Sequence, residues 1–378
     1  MKILLTNFHI GRGGGHDTYI VAIARALAER HQIFVAAPAN SRLLEHASAL
    51  ENVTVVPLEF PAKLKEASRM IAAWRAVRSL LEQERFDVVH VNGSPDHRLM
   101  MFSLMGLKGP RPRIVWTKHN SNRIKSDLLT RLRATHATDD VIAVSDSTAE
   151  LVRDSVYRRC TLAVIKNGVD IEAFKPVSAS DANAARSALP GVPKGGKLVL
   201  GTVTGFDSYK GTMHMIAAVA ALAPAQREQY AIVVVGTEPS EEQWQTIDSL
   251  DMRGQVDVIG FVEDVKHYIG TFDIGFVVSY AVETVSFACR EMMAMGKPVI
   301  VSRYSGLPEN IDEGVDGWIV PPNDPVSLSQ ALSGILTQRD HVKIMGERAR
   351  AKAVREFSGA IFVDRTEAVY QHGQSIRP

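Results

Sequence analysis

Short apolar runs alternate with helical periodicities along almost all of this 378-residue chain, and the alternation restarts once. In the first half, strand candidates recur at 2–6, 33–37, 53–57, 87–91, 114–118, 141–144 and 162–166. A second series follows at 197–203, 231–235, 256–259, 274–278, 299–301 and 318–320. Strands that are apolar on both faces and separated by helices pair in parallel and need cover on both sides. One hydrophobic core also rarely grows beyond roughly 250–300 residues. The expectation is therefore α/β, with two doubly wound domains. Residues 178–197, rich in Ala, Ser, Pro and Gly, read as the entry to the second one.

The chemistry concentrates at 280–302, Y-A-V-E-T-V-S-F-A-C-R-E-M-M-A-M-G-K-P-V-I-V-S. A buried strand ends in a loop carrying Glu283. A helix capped by Thr284 or Ser286 follows and closes at Gly296 and Pro298, before the next strand. Parallel sheets bind ligands at the carboxyl ends of their strands, where this loop lies. The free amides of Val285 to Ala288 and the helix dipole make a phosphate seat. Glu291, one turn beyond Phe287, can look back towards the loop. Amides for a diphosphate and carboxylates for hydroxyls suit a sugar nucleotide.

The Glu283-x7-Glu291 pair followed by M-A-x-G-K-P-V-I resembles the retaining glycosyltransferases of family 4. The resemblance extends over nearly the whole chain, through T-K-H-N at 117–120, N-G-V-D at 167–170 and Lys210-Gly211 after the strand at 197–203. It implies the GT-B architecture: two Rossmann-like domains facing across a cleft, at 1–172 and 173–356. A C-terminal helix, 357–378, would cross back to the first domain. It implies that Glu283 contacts the transferred sugar and that Glu291 holds the ribose. Thr284, Val285 and Ser286 would line the donor, and Lys210 would meet the diphosphate. His119 would stand near the reacting bond, with Gly14 and Gly15 facing donor phosphate and acceptor.

Two departures stand out. The arginine that the family places about five residues before the lysine is missing, with Gly205-Phe206 in its region. Arg12, in the Gly-rich loop G-R-G-G-G-H, is the candidate replacement cation. E-T-V-S also stands where the family has E-G-F-G, so Thr284 and Ser286 would narrow the pocket. A nicotinamide site is disfavoured, because Gly11, Gly13 and His16 break G-x-G-x-x-G and no acid closes the second strand. His90, at another strand end, reads equally as a cleft residue or as a buried structural one.

The formal net charge of +1 conceals an asymmetry. Residues 1–170 hold 24 Lys+Arg against 17 Asp+Glu, and the remainder 19 against 25. Nine basic residues and one acid, Asp127, fall within 98–136, where Ile124, Leu128, Leu129 and Leu132 recur at helical spacing. The segment 111–133 thus suits an anionic membrane surface or a phosphorylated acceptor. No nucleic-acid motif with interleaved aromatics accompanies it. Cys160 and Cys289 lack metal spacing, no D-x-D motif occurs, and Met1 leads straight into a strand.

These readings converge on a cytoplasmic, metal-independent retaining transferase without cofactor, open to peripheral contact with the inner membrane face. It would move a sugar from a nucleotide donor to a glycan, lipid-linked or small-molecule acceptor in bacterial cell-surface polysaccharide or lipopolysaccharide assembly. The alternatives are a nonhydrolysing nucleotide-sugar epimerase of the same architecture and an inactive sugar-nucleotide-binding subunit.

Overall fold

The structure, a computed structural model, describes residues 1–10, 14–61, 66–189, 192 and 196–372. The chain divides into two compact units. Met1–Gly168 and the chain from Gly359 onward form the first, and Val169–Ser358 the second.

The first unit holds a seven-stranded sheet of β1 (Lys2–Thr6), β2 (Gln32–Ala37), β3 (Val53–Pro57), β4 (Val88–Val91), β5 (Arg113–Lys118), β6 (Asp140–Ala143) and β7 (Thr161–Val164), in the order 3-2-1-4-5-6-7. The second holds six strands, β8 (Leu198–Thr202), β9 (Tyr230–Val235), β10 (Val256–Gly260), β11 (Ile274–Val277), β12 (Val299–Ser302) and β13 (Gly317–Val320), in the order 10-9-8-11-12-13. Every pair is parallel. All the strands expected from the apolar runs form, within a residue or two.

The double winding is visible residue by residue. In the second unit Leu200, Ile232, Phe276 and Ile300 enter one core with the helices Thr212–Ala220 and Pro325–Thr337. Their chain neighbours Val199, Val233, Val277 and Val301 enter the opposite core with Met292, Met293 and Phe357. Successive strand side chains point to opposite faces, so a run apolar at every position fills both cores.

The stretch at 178–197, read as the entry to the second domain, lies in the second unit and contains a helix, Ala179–Ala188. Ser178 caps it, accepting from the amide of Asp181 at 3.1 Å. The alanines of this stretch are strong helix formers. The final helix, Gly359–Gln371, belongs to the first unit. Glu367 accepts from Arg30 at 2.9 Å and lies 2.8 Å from Nε2 of His31.

Candidate active site

Both sheets reverse their winding beside the first strand of the unit, between β1 and β4 and between β8 and β11. A crevice opens at the carboxyl ends of strands at such a point. In the second unit, Lys210 leaves β8 and Glu283 leaves β11, so the reversal brings together residues distant in sequence. Lys210 Nζ donates to Glu283 Oε2 at 2.8 Å, with the two side chains 17% and 12% exposed. The Ser279 hydroxyl donates to the same oxygen at 3.4 Å.

The two loops are joined through their backbones as well. The Tyr280 amide donates to the Tyr209 carbonyl at 3.0 Å. Gly211 adopts φ 75°, and a Cβ there would sit 2.2 Å from the Val278 carbonyl oxygen. Glycine is therefore required for the lysine loop to close onto the end of β11.

Of the two cap candidates, Ser286 is the N-cap of the helix Phe287–Ala294, accepting from the Cys289 amide at 3.3 Å. Phe287 and Ala288 begin this helix, so their amides precede its first backbone acceptor. The loop is strained. Val282 has φ 53° and Ser286 φ 52°, in the left-handed region that costs a side-chain-bearing residue about 1–2 kcal/mol. Ser286 thus keeps a backbone that glycine suits better.

A support that the sequence did not reveal underlies this loop. Arg290, fully buried, donates from Nε to Asn310 Oδ1 at 2.8 Å, and its guanidinium lies 4.4 Å from the centre of the Phe357 ring. Asn310 in turn donates to the carbonyls of Val285, at 2.8 Å, and Leu307, at 3.0 Å. Packing alone shows that Arg290 buttresses the strained loop.

The Glu291 carboxyl faces inward on the same helix and makes no hydrogen bond to a described residue. Burial pushes its carboxyl up to about 7. The region of the missing arginine is closed to a long side chain. Phe206 is a core residue, and a Cβ on Gly205 would meet the Thr237 amide nitrogen at 2.3 Å.

In the first unit, Gly14 accepts from the Asp17 amide at 3.0 Å at the start of the helix Gly15–Leu27. Its extended backbone and the open space around it do not require glycine. Arg12 lies outside the described residues. His119, after β5, places Nε2 2.9 Å from Asn92 Oδ1. His16 packs on its ring at 4.1 Å between centroids, and Tyr19 meets its edge at 4.7 Å. Burial first, then His16, His90, His9 and Lys118, holds His119 well below the usual histidine range. The ring is neutral at pH 7, donating from Nε2 and leaving Nδ1 as an acceptor.

His90 proves structural. Fully buried, it lies 2.5 Å from the Tyr370 hydroxyl and 2.6 Å from that of Thr117, fastening the final helix. Lys118 is also internal, donating to Asn120 Oδ1 at 2.6 Å and the Asn122 carbonyl at 2.8 Å.

Residues 13–173 match the family model described as Glycosyltransferase Family 4, and residues 190–352 the one described as Glycosyl transferases group 1. The chain belongs to the family 4 glycosyltransferases. Together the two matches span most of both units. A D-inositol 3-phosphate glycosyltransferase of Corynebacterium diphtheriae is 25% identical over 98% of this chain and 94% of its own. The amylovoran biosynthesis glycosyltransferase AmsK of Erwinia amylovora is 31% identical over 34% of each chain. Anabaena HepE, solved in complex with UDP, superposes with a TM-score of 0.83 at 21% identity, covering 98% of this chain and all of HepE. The fold is thus GT-B, and the chain is a glycosyltransferase.

Proposed function

We propose that this glycosyltransferase moves a sugar, with retention and without a metal, from a nucleoside diphosphate sugar to a glycan, lipid-linked or small-molecule acceptor. The observation that carries this reading is the Lys210–Glu283 pair, set beside the first-turn amides after Ser286 at the reversal of the second sheet. Lys210 and those amides would bind the diphosphate and stabilise charge as the C1–O bond to it breaks. Glu283 would orient the sugar, with Thr284, Val285 and Ser286 lining it. The acceptor oxygen bonds to C1 on the face the diphosphate leaves, and its proton passes to the departing phosphate oxygen. The products are a glycoside and a nucleoside diphosphate.

Lys210 and the amides would supply the positive charge that a metal gives other transferases, with Arg12 as a further diphosphate contact. Neutral His119, Gly14 and Gly15 would serve the acceptor side. The HepE complex with UDP supports a nucleotide donor, and the part of AmsK in amylovoran biosynthesis supports a place in cell-surface polysaccharide assembly. No helix among the described residues is long and apolar enough to cross a membrane.

The deciding experiment incubates the protein with a panel of nucleoside diphosphate sugars, with and without acceptor. Release of nucleoside diphosphate with formation of an α-linked product from an α-linked donor is expected. Epimerised donor would favour the epimerase reading. Binding without turnover would leave a sugar-nucleotide-binding subunit.

Glu291 gives this reading a pH signature. Ribose hydroxyls donate best to an ionised carboxylate, and burial holds this acid protonated until about pH 7 in the free protein. Affinity for the bare nucleoside diphosphate should therefore rise as pH increases towards 8, by up to about tenfold per unit below 7. Glu291→Gln should bind more weakly at pH 8 and lose that part of the pH dependence. Calorimetric titration of both proteins across this range reads the difference. Parallel curves would remove Glu291 from the ribose.

A further inference from the structure

The basic segment of the first unit is redistributed by the fold. Arg111 pairs with Asp139 at 2.7 Å and Arg113 with Asp140 at 2.6 Å, while Arg133 donates to the Ser94 carbonyl at 3.3 Å. The first two are thereby neutralised by carboxylates of the same unit. Arg123 and Arg131 instead meet Arg158 and Arg159 across a groove of about 710 Å³. Its walls come from the segment before the helix Leu128–His136, from that helix, and from the turn Val156–Arg159. Asp154 is the one carboxylate in the lining. Among the described residues, none of these four arginines forms an ion pair. Arg131 is held in place by donating from Nε to the Ser126 carbonyl at 3.1 Å.

Beside the groove, the helix exposes Leu128 at 71%, Leu129 at 45% and Leu132 at 36%. Leu128 and Leu132 are one turn apart, and Leu128 lies three residues before Arg131, so the apolar ridge adjoins the basic wall. A soluble phosphate ester would satisfy the arginines and leave this ridge in water. An anionic lipid surface covers both, with phosphates against guanidinium groups and leucines in the acyl boundary.

We propose that this face docks on an anionic phospholipid surface, the groove seating lipid phosphates while the leucine ridge enters the membrane. The inference deepens the acceptor side of the function proposed above and relies on that reading for its purpose. Its test needs no sugar donor, so the two can fail separately. Full-length protein is floated with phosphatidylcholine vesicles, with and without phosphatidylglycerol, at low and high salt. Wild type should float only with the anionic vesicles, and less at high salt. Arg158→Gln with Arg159→Gln should lower the partition roughly 30-fold, at about five- to sixfold per charge. Leu128→Ser with Leu132→Ser should lower it at least about tenfold while the charges remain. Both variants should retain wild-type thermal stability and wild-type donor turnover with a water-soluble acceptor. Equal flotation on neutral vesicles, or unchanged binding by either variant, overturns the proposal. Stabilisation by inorganic pyrophosphate without flotation, lost in the double arginine variant, overturns it too and leaves a soluble phosphate site.

Discussion

Glu283→Ala is expected to reduce sugar transfer by about 10²–10³-fold while the bare nucleoside diphosphate binds at least as well as to wild type. The asymmetry follows from the ion pair. In the free protein Glu283 lies 2.8 Å from the ammonium of Lys210 and partly neutralises it. Without the carboxylate, that ammonium is free for phosphate, and the diphosphate loses no partner. The sugar loses the group that orients it, and orientation matters most when the C1–O bond breaks. Single-turnover transfer and calorimetric diphosphate binding, measured on the same preparation, separate the two effects. Loss of diphosphate affinity in step with transfer would show that Glu283 serves the loop and not the sugar.

Lys210→Ala should behave differently, lowering diphosphate affinity and turnover together. A charge-assisted hydrogen bond contributes about 1.5–3 kcal/mol, or roughly 10- to 150-fold in affinity. The variant also leaves Glu283 largely buried beside an incoming diphosphate, so repulsion adds to the loss. Lys210→Arg should recover only part of the activity, because a planar fork does not replace a compact point charge on a crowded loop. Gly211 packs against the Val278 carbonyl and leaves that loop little freedom to adjust. Thermal unfolding of each variant controls for loss of the pair itself. Full affinity in Lys210→Ala would remove the lysine from the diphosphate and return weight to a non-catalytic subunit.

The two effects rest on two joined loops, and the one after Glu283 accommodates a residue other than glycine at 286. Ser286 takes a left-handed backbone without being glycine. Its conformation is held by its own cap to Cys289 and by Asn310, which grips the preceding carbonyl and is itself fixed by buried Arg290. Local strain of this kind persists only where the surroundings over-determine it. Ser286 therefore holds a backbone angle that favours glycine while carrying a side chain. That combination bears on which sugar fits, and comparing hexose donors on Ser286→Gly would read it directly.

Much of this was legible in the residues. Fully apolar runs with helical spacers specify parallel strands covered on both sides, because both properties are local and periodic. Glu283, Glu291 and Lys210 were singled out by spacing and by resemblance to the family motif, and the structure brings two of them, Lys210 and Glu283, into contact. Tertiary structure alone decided which segments meet. Lys210 and Glu283 are 73 residues apart, and they touch because β8 and β11 are neighbours in the sheet order. The fate of these buried polar groups was settled in the same way: His90 closes onto Tyr370 in the final helix, and Arg290 closes onto Asn310 beneath the loop after Glu283. The basic segment shows the limit most clearly, because Arg111 and Arg113 look no different in sequence from Arg123 and Arg131. Whether a cation meets a carboxylate depends on long-range neighbours, and no local periodicity carries that information.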